Sequence, residues 1–472
     1  MKSIDTLRFG GQDVLPLIEG GKGVSVSTGV SAGHWAAAGG IGTISAVNAD
    51  SYDQDGHPVP QVYHGRTRRE RQQELIRYAI DGGIAQAKIA HEISGGRGRI
   101  NVNILWEMGG AEEVITGILE GAPGLVHGVT CGAGMPYRLS DIAVRFGIPY
   151  YPIVSSGRAF NALWRRAYSK APELLGGVVY EDPWRAGGHN GLSNTENPFS
   201  PEDPYPRVLE LRRVMRNYGL GETPIIMAGG VWHLEDWQDW IGNPELGPIV
   251  FQFGTRPLLT QESPIPDAWK RRLLTLKEGD VYLNRFSPTG FYSSAVRNSF
   301  LQDLCERSER QVPYSQEAGD GYEASYGVGA RKREVFVPAA DRPRIADWEA
   351  AGFTEALRTP DDTLVFVTPE SAREILADQT ACMGCLSQCR FSNWMQREPY
   401  TNGQKADPRS FCIQKTLQTI SHIPPGADED NVVDHNLMFG GTNAWRFGTD
   451  PFYANGFVPT VSQLVERILT GR

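Results

Sequence analysis

The chain has 472 residues, 40% of them hydrophobic and 21% charged, with a net charge of -9 and a pI of about 5.6. This length fits one large domain with additions or two domains, with ample apolar material for a core, and the acidic balance argues against non-specific binding to nucleic acid or anionic lipid. The opening MKSIDTLRFGGQDV has no apolar stretch of the signal-peptide kind, and no apolar run reaches the roughly 18 residues of a membrane span, so a cytoplasmic protein without a membrane partner is expected.

Eight short apolar runs punctuate the first 260 residues: Val14–Ile18, Gly42–Ala46, Ile100–Leu105, Leu125–Thr130, Pro149–Val154, Gly177–Tyr180, Pro224–Met227 and Pro248–Phe253. Each is bounded by Gly or Pro and many are β-branched, the pattern of buried parallel strands. Between them lie expected helices at Arg68–Ile93, with Gly82-Gly83 a potential break, and at Ala111–Leu119, Arg138–Phe146, Ala159–Tyr168, Pro206–Tyr218 and His233–Ile241. About eight βα repeats predict an α/β fold of the TIM (β/α)8 barrel kind over residues 1–260. The alternative, an open doubly wound sheet, usually carries G-x-G-x-x-G after its first strand, and none is present. From residue 261 to 472 the chain reads as a mostly helical and irregular extension packed on the barrel, with helices at Asp267–Leu276, Ala295–Arg307 and Val461–Leu469 and irregular structure over 310–345. The basic run Arg331-Lys332-Arg333 reads as a solvated loop.

Three glycine-rich loops fall where barrel strands should end: Gly187-Gly188-His189-Asn190-Gly191, Gly229-Gly230 and Gln252-Phe253-Gly254-Thr255. Glycine lets backbone N–H groups approach a phosphate, and barrels commonly hold phosphate in the loops after strands seven and eight. A plain tight turn is the alternative for any one of them.

These loops carry a resemblance. The stretches LPLIEGGKGVSVSTGVSAGHWAAAGGIGTISA, RINVNILW, AGGHNG, PIIMAGGV, IVFQFGTRPLLTQES and VYLNRFSPTGFYSSAVRNSF follow, in order over roughly residues 14–305, the pattern of the nitronate monooxygenase (2-nitropropane dioxygenase) family, which includes flavin-dependent enoyl reductases. The chain resembles that family, and the resemblance implies an FMN-binding barrel. Gly188, Gly229, Gly230, Gly254 and Thr255 would hold the phosphate, with Gln252 and Phe253 in the same loop. Glu19, Gly20 and Gly21 would line the flavin ring through backbone atoms, and Asn103 would touch the flavin. Two departures stand out. The family's best-known class has a catalytic His after the fifth strand, where this chain reads Ser155-Ser156-Gly157-Arg158-Ala159-Phe160, and Arg185 stands where relatives often have an acid. Arg185 either favours an anion near the flavin or is an ordinary paired surface arginine.

His189 maps close to the flavin and is the candidate proton donor, a hydrogen bond to the glycine loop being the alternative. His34 reads as structural.

Cys382, Cys385 and Cys389 form C-x2-C-x3-C, and Cys412 follows 23 residues later. A cysteine cluster in a large chain of this kind points to metal or redox chemistry rather than to disulfides. Gly384 permits the tight turn that aims the flanking sulfurs inward. The spacing resembles the [4Fe-4S] motif of flavin barrels related to 2,4-dienoyl-CoA reductase, although the last gap there is shorter. A four-cysteine zinc site and unliganded thiols remain the alternatives. Cys131 and Cys305 read as buried apolar cysteines.

Three functions are weighed on this basis: an FMN enzyme with a [4Fe-4S] cluster that transfers hydride between flavin and a small conjugated or acyl substrate; a nitronate monooxygenase using O2; and a non-catalytic flavin-binding subunit with structural zinc. In the first, electrons would come from NAD(P)H or from a redox partner protein, a ferredoxin or a flavoprotein.

Overall fold

In the computed structural model, which describes residues 4–392 and 405–471, all eight apolar runs are strands of one closed parallel barrel. They are β1 (Leu17–Glu19), β2 (Ile41–Ser45), β3 (Arg99–Leu105), β4 (Gly128–Gly132), β5 (Tyr150–Val154), β6 (Val178–Glu181), β7 (Ile225–Ala228) and β8 (Ile249–Phe253), with β8 closing against β1. Side chains alternate across each strand. Ile18, Ile41, Tyr151, Val179, Ile226 and Val250 fill the interior, and the hairpin of Leu7–Phe9 with Gln12–Val14 plugs the base. There Phe9 stacks on Tyr151 at 4.6 Å between centroids. Two residues further along each strand the same inward direction presents Asn103, Gly132, Ile153, Glu181, Ala228 and Gln252 at the opposite mouth. The register sets Ala228 beside both Glu181 and Gln252.

Six helices cover the strands: α1 (Gly29–Ala37), α2 (Arg68–Ser94), α3 (Ala111–Gly121), α4 (Leu139–Phe146), α5 (Gly157–Arg166) and α6 (Pro204–Asn217). Helix α2 starts at a capping box, Thr67 with Glu70, and runs unbroken through Gly82-Gly83. Those glycines serve close packing rather than a break: a Cβ on Gly82 would lie 1.8 Å from the Ala49 carbonyl oxygen. The expected helix at His233–Ile241 is only a 3-10 turn, Leu234–Trp237. Its apolar spacing comes from Leu234, Trp237 and Trp240, which are buried against the barrel without a continuous helix.

The extension adds α7 (Asp267–Leu274), α8 (Ser299–Glu309), α9 (Arg342–Ala350), α10 (Pro369–Thr380), α11 (Ile413–Ser421), α12 (Glu429–Asp434) and α13 (Val461–Thr470). The first part of the expected Ala295–Arg307 helix is instead strand. Ser293–Val296 pairs with Val281–Asn284 and with Gly188–His189, and Asn298 then caps α8. Residues 310–345, expected to be irregular, contain the hairpin Ala324–Val328 with Arg333–Val337, and Gln311–Pro313 pairs with Thr363–Val367. These pack with α9 around Val312, Val335, Val337, Ile345, Leu364 and Phe366. Arg331, Lys332 and Arg333 are exposed at the hairpin turn. Helix α13 returns to the barrel, where Val461, Leu464, Val465 and Ile468 join the cluster that contains Trp35 and Ala36 of α1. Among the described residues no helix is long and apolar enough to cross a membrane.

Candidate functional site

A cavity of about 390 Å³ opens at the mouth of the barrel, over the carboxyl ends of the strands, where barrels place their active sites. The barrel supplies its floor and most of its walls. Gly21, Asn103, Gly188, His189, Gln252, Gly254 and Thr255, all singled out from the sequence, line it together. Asn103 and Gln252 reach it because they share the inward direction of the strand interior. Gly21 leaves room for one of them: a Cβ there would lie 2.5 Å from the Asn103 amide.

The other expected positions stand elsewhere. Glu19 is buried below, bound to Lys22 and the Ser31 hydroxyl. Gly20 donates its N–H to the Phe253 carbonyl at 2.9 Å, sealing β1 to β8. The Phe253 ring faces outward toward Trp35, 6.1 Å away. Gly229 packs behind Ala186 and Asp182, and Gly230 borders a second, smaller cavity with Arg185, Trp237 and Arg446. Arg185 lies near Asp182, 3.8 Å apart, with its side chain 41% exposed, the ordinary paired arginine rather than an anion site in the main cavity. His34 stands 3.9 Å from Glu262, outside the cavity.

His189 sits on the two-residue strand that pairs with Ser293–Ser294. Its Nε2 lies 2.6 Å from the Ser287 hydroxyl, and its ring meets the Phe439 ring edge-on at 5.8 Å. Burial pushes its pKa down to about 4, so the ring is uncharged at neutral pH.

The extension forms the roof. Phe291, Trp269, Phe439, Gly440, Ile413, Gln414 and Leu417 close over the barrel, together with Cys385 and Leu386. Gly441 donates its N–H to the Thr255 hydroxyl at 2.8 Å, and a Cβ on Gly187 would lie 2.6 Å from the Gly441 nitrogen. The Gly440-Gly441 backbone is thus wedged between the loops after β6 and β8, a further glycine segment beside two of the three read from the sequence.

Among the described residues, three buried N–H donors without a partner belong to residues lining this cavity: Asn190 Nδ2, Trp269 Nε1 and Gln414 Nε2, in residues only 3%, 1% and 1% exposed. A buried donor left unmatched costs about 1–3 kcal/mol, so such groups normally meet an acceptor. The remaining lining is largely apolar, including Val24, Val26, Leu105, Met135 and Ile153. The cavity therefore suits a flat, mostly apolar ligand edged with acceptor atoms. Lys22 and Glu181 also line it.

The four cysteines of the window are free thiols, and the stretch between Cys389 and Cys412 lies in part outside the described residues. Burial, and then the proximity of the other sulfurs, holds the Cys385 thiol well above its ordinary range, and Cys412 is pushed up to about 11, first by burial. Gly384 donates its N–H to the Cys382 sulfur at 3.3 Å, and Cys412 stands at the N-cap of α11 without a side-chain capping bond. Among the described residues no three of the four sulfurs lie within 4.8 Å of one another.

The loop carrying Cys382 and Cys385 is pinned to the barrel by backbone bonds. Gly384 takes φ +75°. Gly109 donates to the Cys385 carbonyl at 3.1 Å, Ser387 to the Glu107 carbonyl at 2.8 Å, and Gln72 of α2 to the Gly384 carbonyl at 3.4 Å. Arg71 reaches the Thr380 carbonyl at 3.2 Å. Cys131 is fully buried on β4, as expected, whereas Cys305 on α8 is only half-buried.

No protein-family profile and no curated protein matches the chain. Among solved structures, FabK from Thermotoga maritima aligns with a TM-score of 0.50 and 15% identity, covering 99% of this chain and 96% of that one. The enoyl reductase domain of MlnA, from the macrolactin biosynthesis cluster of Bacillus amyloliquefaciens, aligns with a TM-score of 0.50 and 11% identity over 96% and 93%. At these identities the likeness is one of fold, and it runs through barrel and extension alike: this chain shares the architecture of both proteins.

Proposed function

We propose that the chain is an FMN-dependent oxidoreductase, with a [4Fe-4S] cluster on Cys382, Cys385, Cys389 and Cys412, that transfers hydride between flavin and a small conjugated or acyl substrate. The observation that carries this reading is a single cavity whose floor is the barrel mouth and whose roof contains one of the cluster cysteines, Cys385. One of the two fold relatives is an enoyl reductase domain, which agrees with that substrate class.

The residues fit FMN on their own chemistry. Its ring is flat and apolar with oxygen and nitrogen acceptors along its edge, the match for Asn190, Trp269 and Gln414, whose N–H groups are otherwise unanswered. Asn103 and Gln252 would offer the ring side-chain amide hydrogen bonds. Backbone amides of Gly188 and Gly254, with the Thr255 hydroxyl, would hold the phosphate. When bound, the flavin would supply a hydride to the substrate or accept one from it. The largely apolar walls exclude water and seat an acyl chain, while His189, uncharged and steadied by Ser287, would orient a substrate carbonyl through a hydrogen bond.

The C-x2-C-x3-C spacing with a distant fourth cysteine supports the cluster, a four-cysteine zinc site being the alternative. The Gly384 amide donating to Cys382 would stabilise sulfur-borne negative charge. The cluster would pass single electrons between the flavin and a ferredoxin or flavoprotein partner.

Purification without air, followed by an absorption spectrum and metal analysis, tests the reading. Flavin bands with iron and labile sulfide in equal amounts are expected. A colourless protein that takes up no FMN would overturn the flavin assignment, and stoichiometric zinc would overturn the cluster.

A further inference from the structure

The layer of barrel side chains beneath the cavity holds one carboxyl group, that of Glu181, and no role so far described uses it. Glu181 is the last residue of β6 and follows Val179 on the inward side of the strand, so it rises into the cavity from the floor. Its neighbours in the layer leave it open: Ala228 lies beside it in register, Gly132 lines the wall, and Gln252 stands beyond Ala228.

Resting on the flavin and acyl-substrate reading above, we propose that Glu181 is the proton donor of the reaction, delivering its carboxyl proton to the carbon next to the substrate's carbonyl. With reduced flavin as the two-electron donor, hydride forms a C–H bond at the β-carbon of a conjugated acyl group. The π electrons move toward the α-carbon and the carbonyl oxygen. The Glu181 O–H bond then breaks as a new C–H bond forms at the α-carbon, and the carboxylate recovers its proton from water. In the reverse direction the same carboxylate removes the α-proton.

The charged and titratable groups around the site leave this task to Glu181. Lys22, which also lines the cavity, is paired with Glu19, and Cys385 belongs to the cluster. His189 is held in its uncharged form with Ser287 at its Nε2. Asp182, next along the chain, accepts the Trp184 and Arg185 N–H groups at 2.9 Å each, and Arg185 approaches it from outside. Arg207 is occupied by Tyr180, Glu196 and Glu202. Burial, and then the adjacent Asp182, push the Glu181 pKa up to about 8, so the group carries its proton at neutral pH.

The test compares wild type, Glu181→Gln and Glu181→Asp as holoenzymes, with a crotonyl thioester as the conjugated probe. The Gln variant should keep its flavin and iron content yet re-oxidise its reduced flavin with the probe at least 100-fold more slowly, within the range of a lost general acid. Asp should recover part of the rate. Wild-type kcat/KM should fall as pH rises through about 8, and the Gln variant should lack that limb. Independently of turnover, infrared difference spectra between pH 6 and pH 10 should show a protonated carboxyl band that the Gln variant lacks. A Gln variant that reacts at the wild-type rate, or an unchanged alkaline limb, overturns the proposal, as does a carboxyl already ionised at pH 6. Failure of the underlying reading looks different: no FMN would bind, or reduced flavin would survive the probe whichever residue stands at 181.

Discussion

The floor and the roof of the cavity are held in place by different physics. The floor belongs to a closed barrel whose strands are fixed by continuous ladders and by buried side chains alternating on two faces, so Asn103, Glu181 and Gln252 are aimed by register alone. The roof comes from loops and short helices of the extension and is aimed by single hydrogen bonds, such as Gly109 to Cys385 and Gly441 to Thr255. Under the proposed function this division matters: the floor presents substrate and flavin to chemistry, whereas the roof delivers electrons. Damage to the roof should then separate electron supply from flavin binding, and damage to the barrel should remove both.

The largest expected effect breaks the comparison at Cys385, the thiol that touches both parts. Cys385→Ser should lose its iron and all turnover driven by a one-electron protein donor, while FMN stays bound and is still reduced by dithionite. The checks are iron analysis and donor-linked turnover on the same preparation. Cluster loss with undiminished ferredoxin-linked turnover would reject the route through the roof. Loss of the flavin as well would show that floor and roof are one unit.

A second, smaller effect probes the barrel shell. In α2 both glycines stand mid-helix, where alanine would ordinarily add about 1 kcal/mol of helix propensity. At Gly82 the new methyl would lie 1.8 Å from the Ala49 backbone oxygen, which cannot step aside. The clash should win, destabilising the protein by about 2 kcal/mol. At Gly83 the obstacle is the Ile118 Cδ1 at 2.2 Å, the far end of a flexible side chain, and the loss should be under about 1 kcal/mol. Urea midpoints for the two variants would measure the gap, and equal losses would mean that backbone and side-chain obstacles give way alike.

The same division explains what the sequence discloses. The eight strands are legible within a few residues because a buried parallel strand must be a short, β-branched run closed by Gly or Pro, and each β-α unit repeats that grammar locally. The extension has no such repeat. Ser293–Val296 looks like the start of a helix until Val281–Asn284 and Gly188–His189 pair with it, one of them about a hundred residues away. The alternation of Tyr326 and Val328 against Val335 and Val337 is present in the sequence but masked by a Gly-rich, charged composition. The site divides likewise. The glycine loops and Cys385 are visible as patterns, and Glu181 has a usable signal, an acid two residues beyond an inward Val179 at the end of a barrel strand. Trp269, Gln414 and Phe439 have none, since only the folded chain brings them over the barrel mouth.

The smallest expected effect is the sharpest in sign and concerns Gln414, which hangs from the roof two residues after Cys412. Its Nε2 is buried without an acceptor, so the flavin-free protein bears the cost of desolvating a donor with nothing in return. Replacing it by the similarly shaped Met removes that cost and adds apolar contact, so Gln414→Met should stabilise the flavin-free protein by about 1 kcal/mol. If the donor exists to meet a flavin acceptor, the same change should weaken FMN binding roughly tenfold, since about 1.4 kcal/mol corresponds to a factor of ten. Two measurements on one variant, thermal unfolding after flavin removal and FMN titration by fluorescence quenching, must therefore move in opposite directions. A variant destabilised in both would mark Gln414 as an ordinary packing residue whose amide is satisfied by water. One stabilised with undiminished FMN affinity would place the flavin edge elsewhere in the cavity, beside Asn190 and Trp269 and away from the cluster helix, and would lengthen the path that electrons must cross from roof to floor.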